Sequence, residues 1–397
     1  MGRSRGETEC VAHIGKVPLR TRQFAYKKEQ GPIVFCGRAT THQPFPMQTL
    51  KEIPVLISSG TDSDSSEWAQ YVLRSPMATI SHEWNWRSII REAYGHDSVY
   101  LIARQEGVVR GILPLIVVKS PILGTSLASM PFMDFGGVCA DDLNIAGQLV
   151  EEARRLSREA GSATVELRQM TAIPGLPAPR HDKVTMILDL TGGETGIWKG
   201  LPAKVRNQVR KAEKNGLSTM VGGPELLEEF YRVFVVNMRD LGSPVHAPSF
   251  FTSMASGLGA QMHVRLVREG AKTVGGLISL CFKDTVLVPW ASALREYFSK
   301  CPNNLLYWHA IQDGCAKGFK VFDFGRSSVG SGTYEFKRQW GAQPVPLFWY
   351  ALSDDDRQGN AIDGTSMKYR LFREVWRHLP VGVSVVIGPR IRKYLTN

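Results

Sequence analysis

The sequence predicts an α/β (α+β) protein in which one mixed, twisted sheet flanked by helices occurs twice. Three observations support this fold class: an apolar β-hairpin that recurs, a helix and an acidic strand that follow each hairpin, and a globular composition. Hydrophobic residues make up 43% of the 397 residues, and charged residues make up 21%. A chain this apolar folds rather than staying disordered, and its length suits two domains.

The recurring hairpin is the clearest sign of a duplication. Val99–Leu115 aligns without a gap with Val264–Leu280, 165 residues further along the chain. Five aligned positions are identical, and three more exchange one aliphatic residue for another. Each segment has an apolar run, a polar turn that contains Gly107 or Gly270, and a second apolar run, which is typical of a β-hairpin.

A helix, a glycine and a short acidic strand follow each hairpin in the same order. These segments are Ile145–Ala160, Gly161 and Thr164–Arg168 in the first half, and Leu305–Lys317, Gly318 and Val321–Gly325 in the second. Apolar residues at helical spacing predict the helices, and a glycine commonly ends a helix because it adopts positive φ. Glu166 and Asp323 each lie five residues after the glycine. We therefore predict two copies of one fold.

The formal net charge of +11 comes mainly from the two ends of the chain. Residues 1–48 hold eight Lys/Arg against three Asp/Glu and show no periodicity, so we expect a disordered basic tail, with Met47 as an alternative start. The first repeated domain is expected at residues 49–190 and the second at residues 191–355. Residues 356–397 are expected to form a basic amphipathic extension.

The sequence disfavours several other classes of protein. Gly111–Val118 is among the longest apolar runs, but it is too short to cross a membrane and contains Pro114. The six cysteines form no C-x-x-C pair and the nine histidines show no zinc-binding spacing, which disfavours a disulfide framework or a zinc site. No apolar segment of a secretory signal follows the basic N-terminus. We therefore expect a cytoplasmic protein.

The predicted order of hairpin, strand, helix and strand resembles the core of the GNAT acyltransferases. Asn304–Gly325 resembles the FemAB family segment in which a helix ending in A-x-x-G precedes a strand ending in D-F-G. Gly332–Gly341 resembles the F-K-x-x-[FW]-G signature of that family. Leu127–Gly137 and Trp376–Pro380 are similar to the FemAB-related proteins of exosortase and extracellular-polysaccharide systems. The resemblance covers about residues 76–395.

FemAB proteins are tandem GNAT domains that attach amino acids from aminoacyl-tRNA to amines of peptidoglycan precursors. The resemblance implies a FemAB-like N-acyltransferase that moves an aminoacyl or acyl group onto an amine of a cell-envelope or exopolysaccharide precursor. It implies no tightly bound cofactor, a charged tRNA or an acyl-CoA as donor, and no DNA partner. The alternatives are an acyl-CoA-dependent GNAT enzyme and a non-catalytic module that binds RNA or anionic lipid. Arg295–Asn304 lacks the glycines of a CoA pyrophosphate loop, which argues against acetyl-CoA.

Two residues are the catalytic candidates. The resemblance implies that Lys337 lies near the acyl ester, where an ammonium can donate a hydrogen bond to an oxyanion or a phosphate. The alternative is a solvated surface lysine, since Arg338 follows directly. Asp323 lies at the end of the second acidic strand, beside Gly325. Its carboxylate is expected either to orient the substrate amine and accept a proton or to cap a turn.

The substrate-binding candidates surround that pair. In the family, Phe336 contacts the nucleotide end of the donor, and core packing is the alternative. Trp340 is a further candidate, for which we favour the core. The loop Gly325–Thr333 is rich in glycine and serine, so its amides can cradle a phosphate, with Arg326 and Ser327 as contacts. A flexible connector is the alternative, since the loop has P-loop glycine spacing without the P-loop lysine.

Two basic helices are predicted outside this loop. Leu201–Lys214 carries Arg206, Arg210 and Lys214 at i, i+4 spacing, which suits the phosphates of tRNA or of a diphosphate-linked acceptor. A solvated face is the alternative. The helix Met367–Leu379 pairs an apolar face with four basic residues, so it is expected to lie at the surface of the inner membrane or to pack on its own domain.

Overall fold

The computed structural model describes residues 53–121, 124–162, 164–353 and 367–396. The basic tail predicted at residues 1–48 lies outside these ranges, as does the beginning of the predicted C-terminal extension. Within the described ranges, no helix combines the length and the apolar character that a membrane span requires.

Fourteen strands in the described residues form two mixed sheets of seven strands each. In chain order the strands are β1 (Leu56–Ser59), β2 (Asp97–Gln105), β3 (Val108–Ser120), β4 (Gly124–Ala128), β5 (Cys139–Ala140), β6 (Thr164–Gln169), β7 (Lys183–Asp189), β8 (Leu217–Gly222), β9 (Met262–Glu269), β10 (Lys272–Phe282), β11 (Thr285–Ala293), β12 (Val321–Ser328), β13 (Gln343–Pro346) and β14 (Phe348–Leu352). Each sheet has parallel and antiparallel neighbours, which confirms the predicted fold class.

Eleven α-helices in the same ranges accompany the sheets. They are α1 (Ser65–Arg74), α2 (Trp86–Tyr94), α3 (Leu143–Glu159), α4 (Gly193–Gly200), α5 (Ala203–Lys214), α6 (Leu227–Leu241), α7 (Pro248–Leu258), α8 (Pro302–Ala316), α9 (Gly332–Arg338), α10 (Met367–Arg377) and α11 (Val381–Arg392). Short 3₁₀ turns connect several of them, and the longest of these turns is Arg295–Lys300.

The first sheet has the strand order β1-β2-β3-β4-β6-β14, with β5 beside β3. Strands β2 and β3 form the predicted hairpin, and β4 and β6 run parallel because α3 connects them. Helix α3 begins after Asp142, whose carboxylate accepts a hydrogen bond from Ile145 N at 2.8 Å. It is followed by Gly161 with a φ of 61°, as the sequence predicts.

The second sheet repeats this arrangement in the order β13-β7-β12-β11-β10-β9-β8. Strands β9 and β10 form the second hairpin, and β11 and β12 run parallel around α8. Gly318, with a φ of 78°, follows α8. In the parallel pairs, Glu166 lies opposite Ala128 and Asp323 lies opposite Leu287, each at the third paired position, so the predicted match between the two acids is confirmed.

The structure shifts the residue-by-residue match of the two hairpins by one position. The hairpin turns are residues 106–107 and 270–271, and the β-bulges lie at Arg110 and Val274. The two turns are 164 residues apart, and so are the two bulges, whereas the ungapped sequence alignment places equivalent residues 165 positions apart. That alignment is therefore wrong by one residue, although the hairpins themselves are equivalent.

The glycines of the two hairpins show the same shift. A Cβ added to Gly111 would point at α3 and lie 2.7 Å from Ile145 Cγ2. Gly275, not Gly276, has the corresponding place, since its added Cβ would lie 3.3 Å from Leu306 Cδ1 of α8. These strands are buried on both faces and are nearly continuously apolar, so apolar identity carries little information about register.

Two strands pair outside the half in which the sequence places them. Strand β7 precedes the predicted boundary at residue 190, yet it pairs with β12 and β13 in the second sheet. Strand β14 lies within the predicted second domain, yet it pairs with β6 in the first sheet. A cut at residue 190 would therefore remove one strand from the sheet that carries the candidate site.

One apolar core is shared by the two halves. Ile102 of the first sheet and Leu266 and Ile278 of the second belong to the same buried cluster. Helices α2 and α7 take part in it, with the rings of Trp86 and Phe250 6.4 Å apart. Two further clusters lie against α3 and α8. The described residues from 53 onwards thus form one compact unit with a core that crosses the repeat.

Candidate active site

Strands β11 and β12 separate at the candidate site. They pair in parallel only between Thr285–Leu287 and Val321–Asp323, and beyond that point β12 continues along β7. Gly325, with a φ of 74°, follows in β12. A Cβ added there would lie 2.8 Å from Val288 O, so only glycine fits. The carboxyl end of β12 is therefore free of β11, and such strand ends are where open α/β sheets bind ligands.

Lys337 lies at this opening. Helix α9 begins after Ser331, whose hydroxyl accepts a hydrogen bond from Tyr334 N at 3.2 Å. From the last turn of α9, Lys337 Nζ donates to Gly325 O and Arg326 O, both at 2.9 Å. The lysine is buried, and burial lowers its pKa to about 8, although nearby carboxylates oppose the shift. The alternative of a solvated surface lysine is therefore wrong.

Asp323 is the buried acid beside it. Its Oδ1 accepts hydrogen bonds from Thr185 Oγ1 and, at 2.8 Å, from Gly325 N. Burial raises the pKa of Asp323 to about 6, and Asp134 adds to the rise, whereas the hydrogen bonds and Lys337 oppose it. The turn-capping contact predicted from the sequence is present. The proton-accepting role stays a prediction, and a pKa near neutrality suits it.

Asp134, which the sequence patterns did not single out, reaches the site from the first half. Its Oδ2 accepts a hydrogen bond from Arg326 N at 2.9 Å, and its Oδ1 lies 3.3 Å from Arg326 Nε. One signal could have revealed it, because the Asp-Phe-Gly sequence of residues 323–325 also occurs at residues 134–136. The site is therefore composed of residues from both halves.

Trp349 lies between two guanidinium groups next to Asp134. The guanidinium carbons of Arg168 and Arg326 lie 4.7 and 4.8 Å from the centre of its ring, and its Nε1 donates to Asp134 O at 3.1 Å. Arg168 is buried and donates to Met133 O at 2.7 Å, which holds the segment that carries Asp134. Neither Arg168 nor Trp349 belongs to a recognisable motif, so sequence reasoning missed both.

The predicted binding residues lie close to the catalytic pair but differ in exposure. Ser327 is buried, and its hydroxyl has no hydrogen-bond partner among the described residues. Phe336 is half-buried, and its ring lies 5.5 Å from that of Tyr307, so donor contact and core packing are both compatible with its position. Trp340 is 1% exposed and packs against Phe324. The structure places it in the core rather than on a surface that a substrate can reach.

The basic stripe on α5 lies apart from this site. Arg206 donates to Leu201 O and, at 3.2 Å, to Lys199 O, so it caps the end of α4. The guanidinium carbon of Arg210 lies 5.5 Å from the ring centre of Trp198, and Lys214 is exposed. Among the described contacts, none joins these three residues to Lys337. The prediction that they bind phosphates stays untested.

The charges of the pair suit acyl transfer to an amine near neutral pH. With pKa values of about 6 and about 8, Asp323 is mainly ionised and Lys337 mainly protonated around pH 7. An ammonium has three hydrogens to donate, and the backbone carbonyls take two from Lys337. One N–H of Lys337 can therefore donate a hydrogen bond to a developing oxyanion, and the carboxylate of Asp323 can accept a hydrogen bond or a proton from an amine.

Comparison with known families agrees with this geometry. The family model of the acetyltransferase (GNAT) domain matches residues 202–338, a range that includes Asp323 and Lys337. No curated protein sequence matches the chain significantly.

Solved structures share the fold at low sequence identity. FemX aligns with a TM-score of 0.59 and 13% identity, over 75% of this chain and 97% of its own. The C-terminal domain of a putative lysylphosphatidylglycerol synthetase from Agrobacterium fabrum has a TM-score of 0.50 and 14% identity, over 74% and 92%. A conserved protein of unknown function from Bacteroides thetaiotaomicron has a TM-score of 0.53 and 8% identity, over 76% and 100%.

The two repeated sheets, the separated strands β11 and β12 and the domain match together confirm the predicted tandem GNAT fold and the acyltransferase class. The chain therefore contains a GNAT acetyltransferase-type domain over residues 202–338 and is an acyltransferase whose fold is similar to that of FemX.

Proposed function

We propose that the protein moves an aminoacyl or acyl group onto an amine of a cell-envelope or exopolysaccharide precursor. The observation that carries this proposal is the buried Lys337, which lies with Asp323 where β11 and β12 separate. A buried, positioned ammonium is suited to an oxyanion that forms only in the transition state.

In the proposed reaction the neutral acceptor amine attacks the acyl carbonyl carbon. A C–N bond forms, the carbonyl oxygen becomes an oxyanion that Lys337 stabilises, and Asp323 accepts a proton from the attacking amine. The intermediate then expels the donor oxygen, which takes the proton back from Asp323 as it leaves. The products are an amide and the deacylated donor, so atoms and charge balance without a further reactant.

The local structure favours an aminoacyl ester over an acyl-CoA as donor. A CoA pyrophosphate would be held by free backbone amides at the start of α8. Two of the first three residues of α8 offer no free amide, since Pro302 has no amide hydrogen and the amide of Asn304 donates to Cys301 O at 3.1 Å. Charged tRNA, which is available in the cytoplasm, therefore fits better, with no tightly bound cofactor.

The donor is tested with purified protein and labelled donors of both kinds. We expect an amine-bearing envelope precursor or amino sugar to take up label from aminoacyl-tRNA, with release of free tRNA that depends on the acceptor. Uptake from acyl-CoA alone would replace the donor proposed here with the acyl-CoA alternative. No transfer from either donor would contradict the proposed activity.

Contact of tRNA with the basic face of α5 is a separate part of this proposal. Arg206 is unsuitable for a test because its loss would leave the carbonyls of α4 uncapped. Reversing the charges of Arg210 and Lys214 is expected to weaken tRNA binding about tenfold or more and to flatten its salt dependence. Transfer from a minimal aminoacyl ester should be unchanged; unchanged tRNA affinity would remove α5 from the binding surface.

A further inference from the structure

The two C-terminal helices present apolar side chains to solvent. On α10 the exposed apolar residues follow i, i+4, i+8 spacing; they are Met367 (85% exposed), Leu371 (65%) and Val375 (58%). On α11 a second group has i, i+3, i+4 spacing; it consists of Val383 (39%), Val386 (55%) and Ile387 (38%). Six exposed apolar residues on two consecutive helices form a face that we call the C-terminal face, and such a face indicates a binding surface.

The charge of this segment is strongly positive. Residues 365–397 contain seven Lys/Arg and one acidic residue, Glu374. Glu374 is neutralised by Arg377, whose Nη1 lies 2.6 Å from its Oε1. Arg370 and Arg390 are exposed on the same helices. The C-terminal face therefore combines apolar side chains with a net positive charge on its two helices.

Both helices are held firmly to the rest of the protein by their opposite faces. Trp376 of α10 is 4% exposed, and Gly388 of α11 packs so closely on Val245 that an added Cβ would lie 3.0 Å from its Cγ1. At the end of α11, His96 Nε2 and Lys393 O are 2.7 Å apart. The two helices that carry the C-terminal face thus pack on the rest of the described structure through their opposite sides.

The sign of the charge disfavours two of the possible occupants. The N-terminal residues 1–48 carry three acidic against eight basic residues, and a second copy would bring the same positive face, so both would be repelled. RNA would satisfy the cations but would leave the six apolar residues in water. An anionic lipid surface satisfies both, because it attracts basic residues and accepts apolar side chains at the level of the headgroups.

We propose that the C-terminal face binds an anionic membrane surface. The proposal does not depend on the transfer chemistry, although it would bring the active site to acceptors that are anchored in lipid. Binding is expected to weaken as salt screens the basic residues, and it is expected to require apolar insertion as well as charge.

The test is sedimentation of the full chain with vesicles of phosphatidylcholine alone or with about one third phosphatidylglycerol. We expect binding only to the anionic vesicles. Leu371→Glu combined with Val386→Glu should weaken it about tenfold or more, and so should Arg370→Glu combined with Arg390→Glu. Leu73→Glu on α1 is the matched control, because Leu73 is 65% exposed outside the C-terminal face.

Three outcomes would overturn the proposal: no binding of the wild-type chain to anionic vesicles at low salt, equal loss in the Leu73→Glu control, or binding to RNA without binding to vesicles. Transfer to a water-soluble acceptor should be retained in the Leu371→Glu, Val386→Glu variant. That measurement shows that the variant is folded, and it separates a failure of docking from a failure of the proposed activity.

Discussion

The two halves of the molecule have the same topology, but the acidic residues of their matching strands differ in burial. In β6, the Glu166 side chain is 25% exposed and lies 3.8 Å from Arg168. In β12, Asp323 is 2% exposed and is accompanied by the buried Lys337. Burial shifts the pKa values of Asp323 and Lys337 towards neutrality, whereas Glu166 keeps contact with water. The second copy thus carries a buried Asp–Lys pair, whereas the acid of the first copy is partly exposed.

The first half nevertheless contributes to the site by holding it in place. Asp134 accepts a hydrogen bond from the backbone N–H of Arg326 and forms an ion pair with its side chain. Arg168 donates a hydrogen bond to the segment that carries Asp134. The comparison teaches that one half of the duplication holds the candidate catalytic pair and that the other half supplies the side chains that contact its surroundings. Each prediction below tests this division, starting with the largest expected effect.

The largest expected effect is the loss of activity when the side chain of Lys337 is removed. Lys337→Ala is expected to lower kcat by about 100- to 1000-fold, since loss of one oxyanion donor typically costs about 2.7–4 kcal/mol. Arg338→Ala, at the exposed neighbour that pairs with Glu335, is the matched control and should stay near wild-type activity. Initial rates at saturating donor measure kcat for the wild type and both variants. Equal rates for the wild type and Lys337→Ala would exclude the lysine from the reaction.

The buried acid should make stability depend on pH. Because the folded pKa of Asp323 is about 6 and the ordinary pKa of an aspartate is 3.8, the folded state binds more protons between these values. Relative to the Asp323→Asn variant, the free energy of unfolding of the wild-type chain should therefore decrease as pH rises from about 4 to about 6, by at most about 3 kcal/mol. Denaturant titrations of both proteins at several pH values measure this difference. The same pH dependence in both proteins would contradict the contribution assigned to Asp323.

Asp134 tests whether the first half positions the pair. Asp134→Asn is expected to lower kcat by about 10- to 100-fold, as loss of a charged hydrogen-bond acceptor costs about 1.5–3 kcal/mol. Because Asp134 raises the pKa values of both Asp323 and Lys337, both limbs of the pH–rate profile should move to lower pH. A lower rate with an unmoved profile would indicate a packing role alone.

The smallest effect concerns the hairpin glycines, which test the corrected match between the halves. Gly111→Ala should lower the free energy of unfolding by about 1 kcal/mol, because its Cβ would crowd Ile145 of α3. Gly275→Ala should have a smaller effect, since its nearest contacts are at 3.3 Å. Chemical denaturation measures both, and a larger loss for Gly275→Ala would contradict the packing described for α3 and α8.

Local patterns were sufficient to predict the repeated elements. The glycines after α3 and α8, the two hairpins and the acids of β6 and β12 all lie where the sequence predicts them. The register between the hairpins was not predictable, because strands that are apolar on both faces look alike after a shift of one residue. The exchange of β7 and β14 between the sheets depends on pairing over a long sequence separation, which no local pattern records.

The sequence by itself determined the duplicated α/β fold and the two residues at the centre of the candidate site, because secondary structure and short motifs depend on neighbouring residues. Only the tertiary structure decided that Lys337 is buried, that Asp134, Arg168 and Trp349 lie at the same site, and that Arg206 caps a helix. Burial and charge partnership arise from residues brought together by folding, and it is burial that brings the pKa values of Asp323 and Lys337 towards neutrality.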